Sequence, residues 1–226
     1  MSVADLFIAD EGEMAEHYPN RAEKAADGIV HAIGLVGATI GLGVLFTFSL
    51  HKGGVSLASA TALFGLCLIV MLACSAVYNL TRPSPARRVL RRIDEAAIFL
   101  AIAGSCTPFT SQLLPPVLAI SSTAFLWAAA LAGGIGKVAF PAISDKAWSM
   151  IYVAFGWIAG LFLLPAMHGL PMITIGLLAL GGLIYSAGVL VYLNHNAPFR
   201  RAIWHGMVVI GASAHFGAVL IGLVLR

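Results

Sequence analysis

Seven stretches of about twenty residues each, near 29–50, 57–80, 93–113, 116–136, 148–166, 172–193 and 203–225, run almost free of charged side chains. About twenty apolar residues is the length at which a helix crosses the hydrocarbon core of a bilayer. Composition agrees, since 60% of the 226 residues are hydrophobic, 10% are charged and the mean hydropathy is +0.94, far from the range of soluble domains. The expectation is an all-α membrane protein, a seven-transmembrane helical bundle over residues 28–226 preceded by a polar acidic tail over 1–27. Its expected partners are membrane lipids, including a lipid ligand or substrate, and not nucleic acid.

Charge fixes the expected orientation. With the amino end in the cytoplasm, eleven of the thirteen Lys and Arg residues fall on the inner side, and only Lys52 and Arg226 fall outside. The positive-inside rule therefore predicts a cytoplasmic N-terminus and an outside C-terminus. The acidic tail lacks the basic start and apolar run of a signal peptide, so no cleavage is expected. Gly37 with Gly41 and Gly156 with Gly160 stand four apart on helices, a spacing that lets neighbouring helices approach closely. Cys67, Cys74 and Cys106 lie in apolar runs without CxxC spacing, which argues against a disulfide frame or a thiolate metal site. The lysines, Lys24, Lys52, Lys137 and Lys146, leave none in the last span for a retinal Schiff base.

Beyond residue 27 the acids are Asp94, Glu95 and Asp145. Asp94 opens the third span, where a carboxylate needs a cation or hydrogen-bond donors. Several polar residues share its depth: Ser75 and Asn79, four apart at the inner end of span two; Arg201 and His205, four apart entering span seven; and His31, just inside span one. An exposed ion pair between Asp94 and Arg91 is the simpler alternative.

The segments EKAADGIVH, SAVYN, the Ile93-Asp94 pair, AGSCTP, GGLIY and RAIWH, in that order from Glu23 to about Leu220, resemble the hemolysin III group. That group is the bacterial branch of the progestin and adipoQ receptor superfamily. The resemblance implies a multi-pass protein of the bacterial inner membrane. It also implies a zinc ion near the cytoplasmic face, held by one histidine of span two and the HxxxH pair of span seven, with a serine and an aspartate beside it. Such an ion activates water for hydrolysis of a lipid amide.

Carried over by position, the serine is Ser75, the aspartate is Asp94 and the second histidine of HxxxH is His205. The other two ligand positions hold Asn79 and Arg201. A zinc site takes three or four ligands from His, Cys or carboxylate, so His205 is left as the sole carried-over metal ligand, with Ser75 and Asp94 as catalytic candidates and His31, Asn79 and Arg201 lining the site. A permanently charged guanidinium can take the place of the ion and pair with Asp94. The expected function is a receptor-like, regulatory or pore-associated (cytolytic) membrane protein with a degenerate, zinc-free site, and the alternative is a zinc-dependent, ceramidase-like amide hydrolase.

Overall fold

The computed structural model describes residues 14–140 and 142–226. Seven α-helices make up these residues: α1 (Arg21–Leu80), α2 (Ala86–Leu113), α3 (Pro116–Ala139), α4 (Asp145–Leu161), α5 (Leu164–Met167), α6 (Met172–Leu193) and α7 (Arg200–Val219). A short π-helix, Leu220–Val224, extends α7. Five of the helices, α1, α2, α3, α6 and α7, are long and apolar enough to cross a membrane.

The sixty residues of α1 would stretch about 90 Å if straight. Instead the helix folds at Gly54, whose φ of 65° and ψ of −161° are open to glycine alone. The two arms run antiparallel, with Ser49 Oγ accepting from Thr61 Oγ1 at 3.0 Å and His31 Nε2 meeting Ser75 Oγ at 3.2 Å. The first two expected spans are these arms. The expected span 148–166 is broken: α4 ends at Leu161, and α5 restarts around Pro165, which has no N–H to continue a helix.

The bundle is apolar on the outside. Along the first arm of α1, Ile29, Ile33, Val36 and Ile40 form an exposed stripe at helical spacing, each about 60% accessible. His31, Gly34, Leu45 and Ser49 are buried on the opposite side. A surface of this kind is costly in water and costs nothing against lipid tails. The core gathers Leu45, Leu57, Phe64, Phe109, Val219 and Val224 from α1, α2 and the end of α7.

Residues 14–20 fold back over the mouth of the bundle before Asn20 caps α1 by accepting from Glu23 N at 2.9 Å. Arg87 Nη1 donates to Ala15 O at 2.7 Å, Tyr18 is buried, and His17 packs edge-on against Tyr78. Burial, with the positive charges of Arg201 and Arg87 behind it, pushes the His17 imidazole down to about 3, so the docked ring is neutral. An undocked His17 takes a proton near its ordinary value of 6.5. The strap therefore keeps its full docking stability above about pH 6.5 and loses it progressively as pH falls toward 3. Hydrogen-exchange protection factors for residues 14–20 should drop between pH 7.5 and 5.5, and the drop should vanish in His17→Ala.

Candidate functional site

Three helical segments each contribute a polar pair spaced four residues apart, so that each pair shares one face. Asp27 and His31 come from the first arm of α1, Ser75 and Asn79 from the second, and Arg201 and His205 from α7. Asp27 and His31 are essentially inaccessible, and Ser75, Asn79 and His205 are buried. His205 Nδ1 lies 2.6 Å from Asp27 Oδ1, and the Tyr18 hydroxyl donates to Asp27 Oδ2 at 2.5 Å. His31 Nδ1 is 2.9 Å from the main-chain oxygen of Asp27.

These contacts fix the tautomers. Both imidazoles direct Nδ1 at an oxygen that can only accept, so both donate from Nδ1 and turn Nε2 toward Ser75. Ser75 Oγ stands 3.3 Å from His205 Nε2 and 3.2 Å from His31 Nε2, and the two rings lie 4.4 Å apart. Asn79 Nδ2 donates to Ser75 O at 3.0 Å and to Ser75 Oγ at 3.3 Å. Its Oδ1 accepts from Arg201 Nη1 at 2.8 Å.

Asp94 sits on the cavity side of this cluster, beside the Ser75 hydroxyl and within the field of Arg201. The hydrogen bond of Arg201 goes to Asn79, and the guanidinium acts on Asp94 through its charge. Arg91 pairs with Glu95 at 3.0 Å and with Asp145. Arg201 also lies over the Tyr18 ring, 5.8 Å from its centroid, and its Nε is buried with no hydrogen-bond partner among the described residues.

Asp27 and Tyr18 are the site residues that sequence reasoning passed over. Asp27 is the last acid of the polar tail in the sequence, yet it is the carboxylate hydrogen-bonded to His205. The signal that could have found it is its spacing of four from His31, the same spacing that marks Ser75 with Asn79 and Arg201 with His205. Two other histidines lie elsewhere: His195 meets Arg200 in the loop before α7, and His215 meets the Leu178 carbonyl at 3.3 Å in the bundle core.

Asp27, His31 and His205 form a group that could hold a metal ion, their ligand atoms all within 4.8 Å of one another. In the arrangement described, each of those atoms already has a hydrogen-bond partner inside the cluster. A 2.6 Å separation of His205 Nδ1 from Asp27 Oδ1 is a hydrogen bond, shorter than the spacing of about 3.3 Å between two ligands placed tetrahedrally at 2.0 Å from one zinc. At the positions that the family resemblance assigns to zinc ligands, the Asn79 amide and the Arg201 guanidinium are bonded to each other. A permanent cation there does not fit a zinc centre.

A cavity of about 590 Å³ opens from this cluster into the bundle. Ser75, Asn79, Asp94, Arg201 and His205 line one end, and Leu163, Met167 and Ile175 the other. From Arg201 to His215, both on its wall, α7 rises about 21 Å. Gly156 and Gly160 of α4 line it too, and a side chain built on either would meet nothing within 4 Å. These glycines widen the cavity, whereas Gly41 does seat a neighbour, with the Phe216 ring 3.0 Å from where its Cβ would be.

A family model described as haemolysin-III related matches residues 21–216. The chain is 29% identical over 198 residues to a hemolysin-3 homolog of Bacillus subtilis (strain 168), covering 88% of this chain and 93% of that protein. It is also 29% identical over 198 residues to hemolysin-3 of Bacillus cereus, covering 88% and 90%. With most of its length matched by that family model, the chain belongs to the hemolysin III family.

Proposed function

We propose that this protein binds a single-chain amphiphile inside its bundle, with the polar head at the Ser75, Asn79, Arg201 cluster and the alkyl chain along α7, and without zinc. The observation that carries the reading is the cavity, which gathers its charged side chains toward one end and is lined mostly by apolar residues, with Ser186 and His215 among them, along the rest. The unpartnered Arg201 Nε at the polar end calls for an acceptor such as a carboxylate or carbonyl oxygen. In this reading the two arms of α1, then α2, α3, the α4–α5 pair, α6 and α7 make seven crossings of a bacterial plasma membrane. The polar cluster then lies toward the cytoplasm, in keeping with the distribution of Lys and Arg.

The alternative of zinc-dependent amide hydrolysis is weakened by the amide and guanidinium at two ligand positions. A lytic pore, which the relatives' name suggests, draws little support from a cavity whose far end is apolar.

Gly156 supplies the test. Gly156→Ala should leave the cavity open and stabilise α4 by up to about 1 kcal/mol, the helix-propensity gain. Gly156→Phe fills space that no other side chain occupies. Binding of the fluorescent fatty acid cis-parinaric acid to the purified protein should be saturable, unchanged in Gly156→Ala and at least ten-fold weaker in Gly156→Phe. Equal affinity in all three proteins would place the chain elsewhere and end the reading.

A further inference from the structure

Ser75 carries the hydroxyl of the polar cluster, and seating a head group does not account for the two imidazoles that face it. Its Oγ stands 3.3 Å from His205 Nε2, while His205 Nδ1 lies 2.6 Å from Asp27 Oδ1. Hydroxyl, imidazole and buried carboxylate in this order are the groups that activate a serine for attack on an acyl carbon. Asp27 accepts the Nδ1–H hydrogen bond of His205, so Nε2 is left as the base facing the hydroxyl. Access follows the same order: Ser75 and His205 line the cavity, whereas Asp27 stands behind them and is fully buried.

We propose that Ser75 is a catalytic nucleophile toward carboxylic esters of long-chain lipids, with His205 as general base and Asp27 as a positioning residue. The proposal rests on the binding reading, because the cavity must present the ester carbonyl to Ser75. Ser75 Oγ forms a bond to the carbonyl carbon as its proton passes to His205 Nε2. The electron pair of the C=O moves onto oxygen, where Asn79 Nδ2 and the unpartnered Arg201 Nε are the donors at hand. Collapse breaks the bond to the alcohol, which leaves with the proton from His205 and gives acyl-Ser75. A water then repeats the sequence, losing its proton to His205, and releases the fatty acid and free Ser75. The overall change is ester plus water to acid plus alcohol, with no redox step. His31 Nε2, 3.2 Å from the same Oγ, is a second acceptor for its one proton, so the attack starts with the hydroxyl turned toward His205.

The test treats the purified full-length protein in micelles with a long-chain alkyl fluorophosphonate, which forms an Oγ–P bond and expels fluoride only where a serine is activated. Mass spectrometry locates the label, and cis-parinaric acid binding is measured on the same preparation. The expected result is a label on Ser75 that EDTA does not prevent and that His205→Gln slows at least 100-fold. Asp27→Asn should lower the labelling rate at saturating probe rather than raise the probe concentration needed for half-saturation. A protein that binds cis-parinaric acid but takes no label overturns this proposal and leaves the binding reading standing. A label on another residue, or on Ser75 at an unchanged rate in His205→Gln, also overturns it. Loss of both binding and label overturns both readings. The wild-type label alone decides the main point, so no variant has to fold for the experiment to be read.

Discussion

Asp27→Ala is expected to destabilise the protein by about 3–5 kcal/mol, the cost of removing one partner from a buried, charged hydrogen-bond network. Asp27 is fully buried, and both its carboxylate oxygens are engaged: Oδ1 by His205 Nδ1 at 2.6 Å and Oδ2 by the Tyr18 hydroxyl at 2.5 Å. Removing the carboxylate strands two donors in a buried site, and it leaves the charge of Arg201 with less to balance it in the same low-dielectric corner. Asp27→Asn should cost less, because the amide oxygen still accepts one of the two bonds. Equilibrium unfolding of the purified protein in mixed micelles measures both. A loss under 1 kcal/mol for Asp27→Ala would mean that the cluster is hydrated and open. The substitution should also release residues 14–20, since Tyr18 is tied to the bundle through this carboxylate.

The helical spans were legible because membrane helices carry the strongest of sequence signals, a long apolar run bounded by charge and Gly or Pro. The fold at Gly54 falls where a Gly-Gly pair interrupts that pattern. Family membership was legible in the ordered motifs, and the family model bears it out. The structure brings Ser75, Asn79, Arg201 and His205 into one hydrogen-bonded group, as their i, i+4 spacing and common depth suggest.

Asp27 was less legible for a physical reason. Seven acids crowd the first 27 residues, and sequence gives no sign of which of them is buried. The burial of Asp27 depends on residues 14–20 folding back to place Tyr18 over it, and an irregular strap has no periodicity to read. The role of Asp94 was hard to read for a related reason. A lone acid in an apolar run attracts attention, but the partner of Arg201 depends on side-chain reach, and the nearer acceptor is Asn79 Oδ1 at 2.8 Å. Gly156 and Gly160 show the same limit from the other direction. Small residues at a spacing of four permit close helix packing, but they also leave room, and only the position of the neighbouring helices decides between the two.

The double substitution Asn79→His, Arg201→His is expected to give a protein that holds about one zinc per chain, where the natural chain is expected to hold none. The two side chains touch, through Arg201 Nη1 and Asn79 Oδ1, so histidines at these positions would face each other across the junction of α1 and α7. His205 is already prepared as the third ligand. Its Nδ1 is held by Asp27, which leaves Nε2, now facing the Ser75 hydroxyl, as the atom able to turn to a metal, and a carboxylate behind the imidazole is the usual outer-shell support for a zinc-bound histidine. What opposes the metal in the natural chain is charge. A guanidinium about 4 Å from a dication is repelled by roughly 8 kcal/mol at an effective dielectric of 20, twice the value for two unit charges. That is more than one ligand recovers, so Asn79→His alone should stay empty, and only the variant that also loses Arg201 should fill. Elemental analysis of the three purified proteins after equilibration with zinc and removal of the excess reads this directly. Stoichiometric zinc in the natural chain would show that the guanidinium swings away from the ligand positions. An empty double variant would show that the two arms of α1 and the start of α7 no longer hold the spacing that a zinc centre requires.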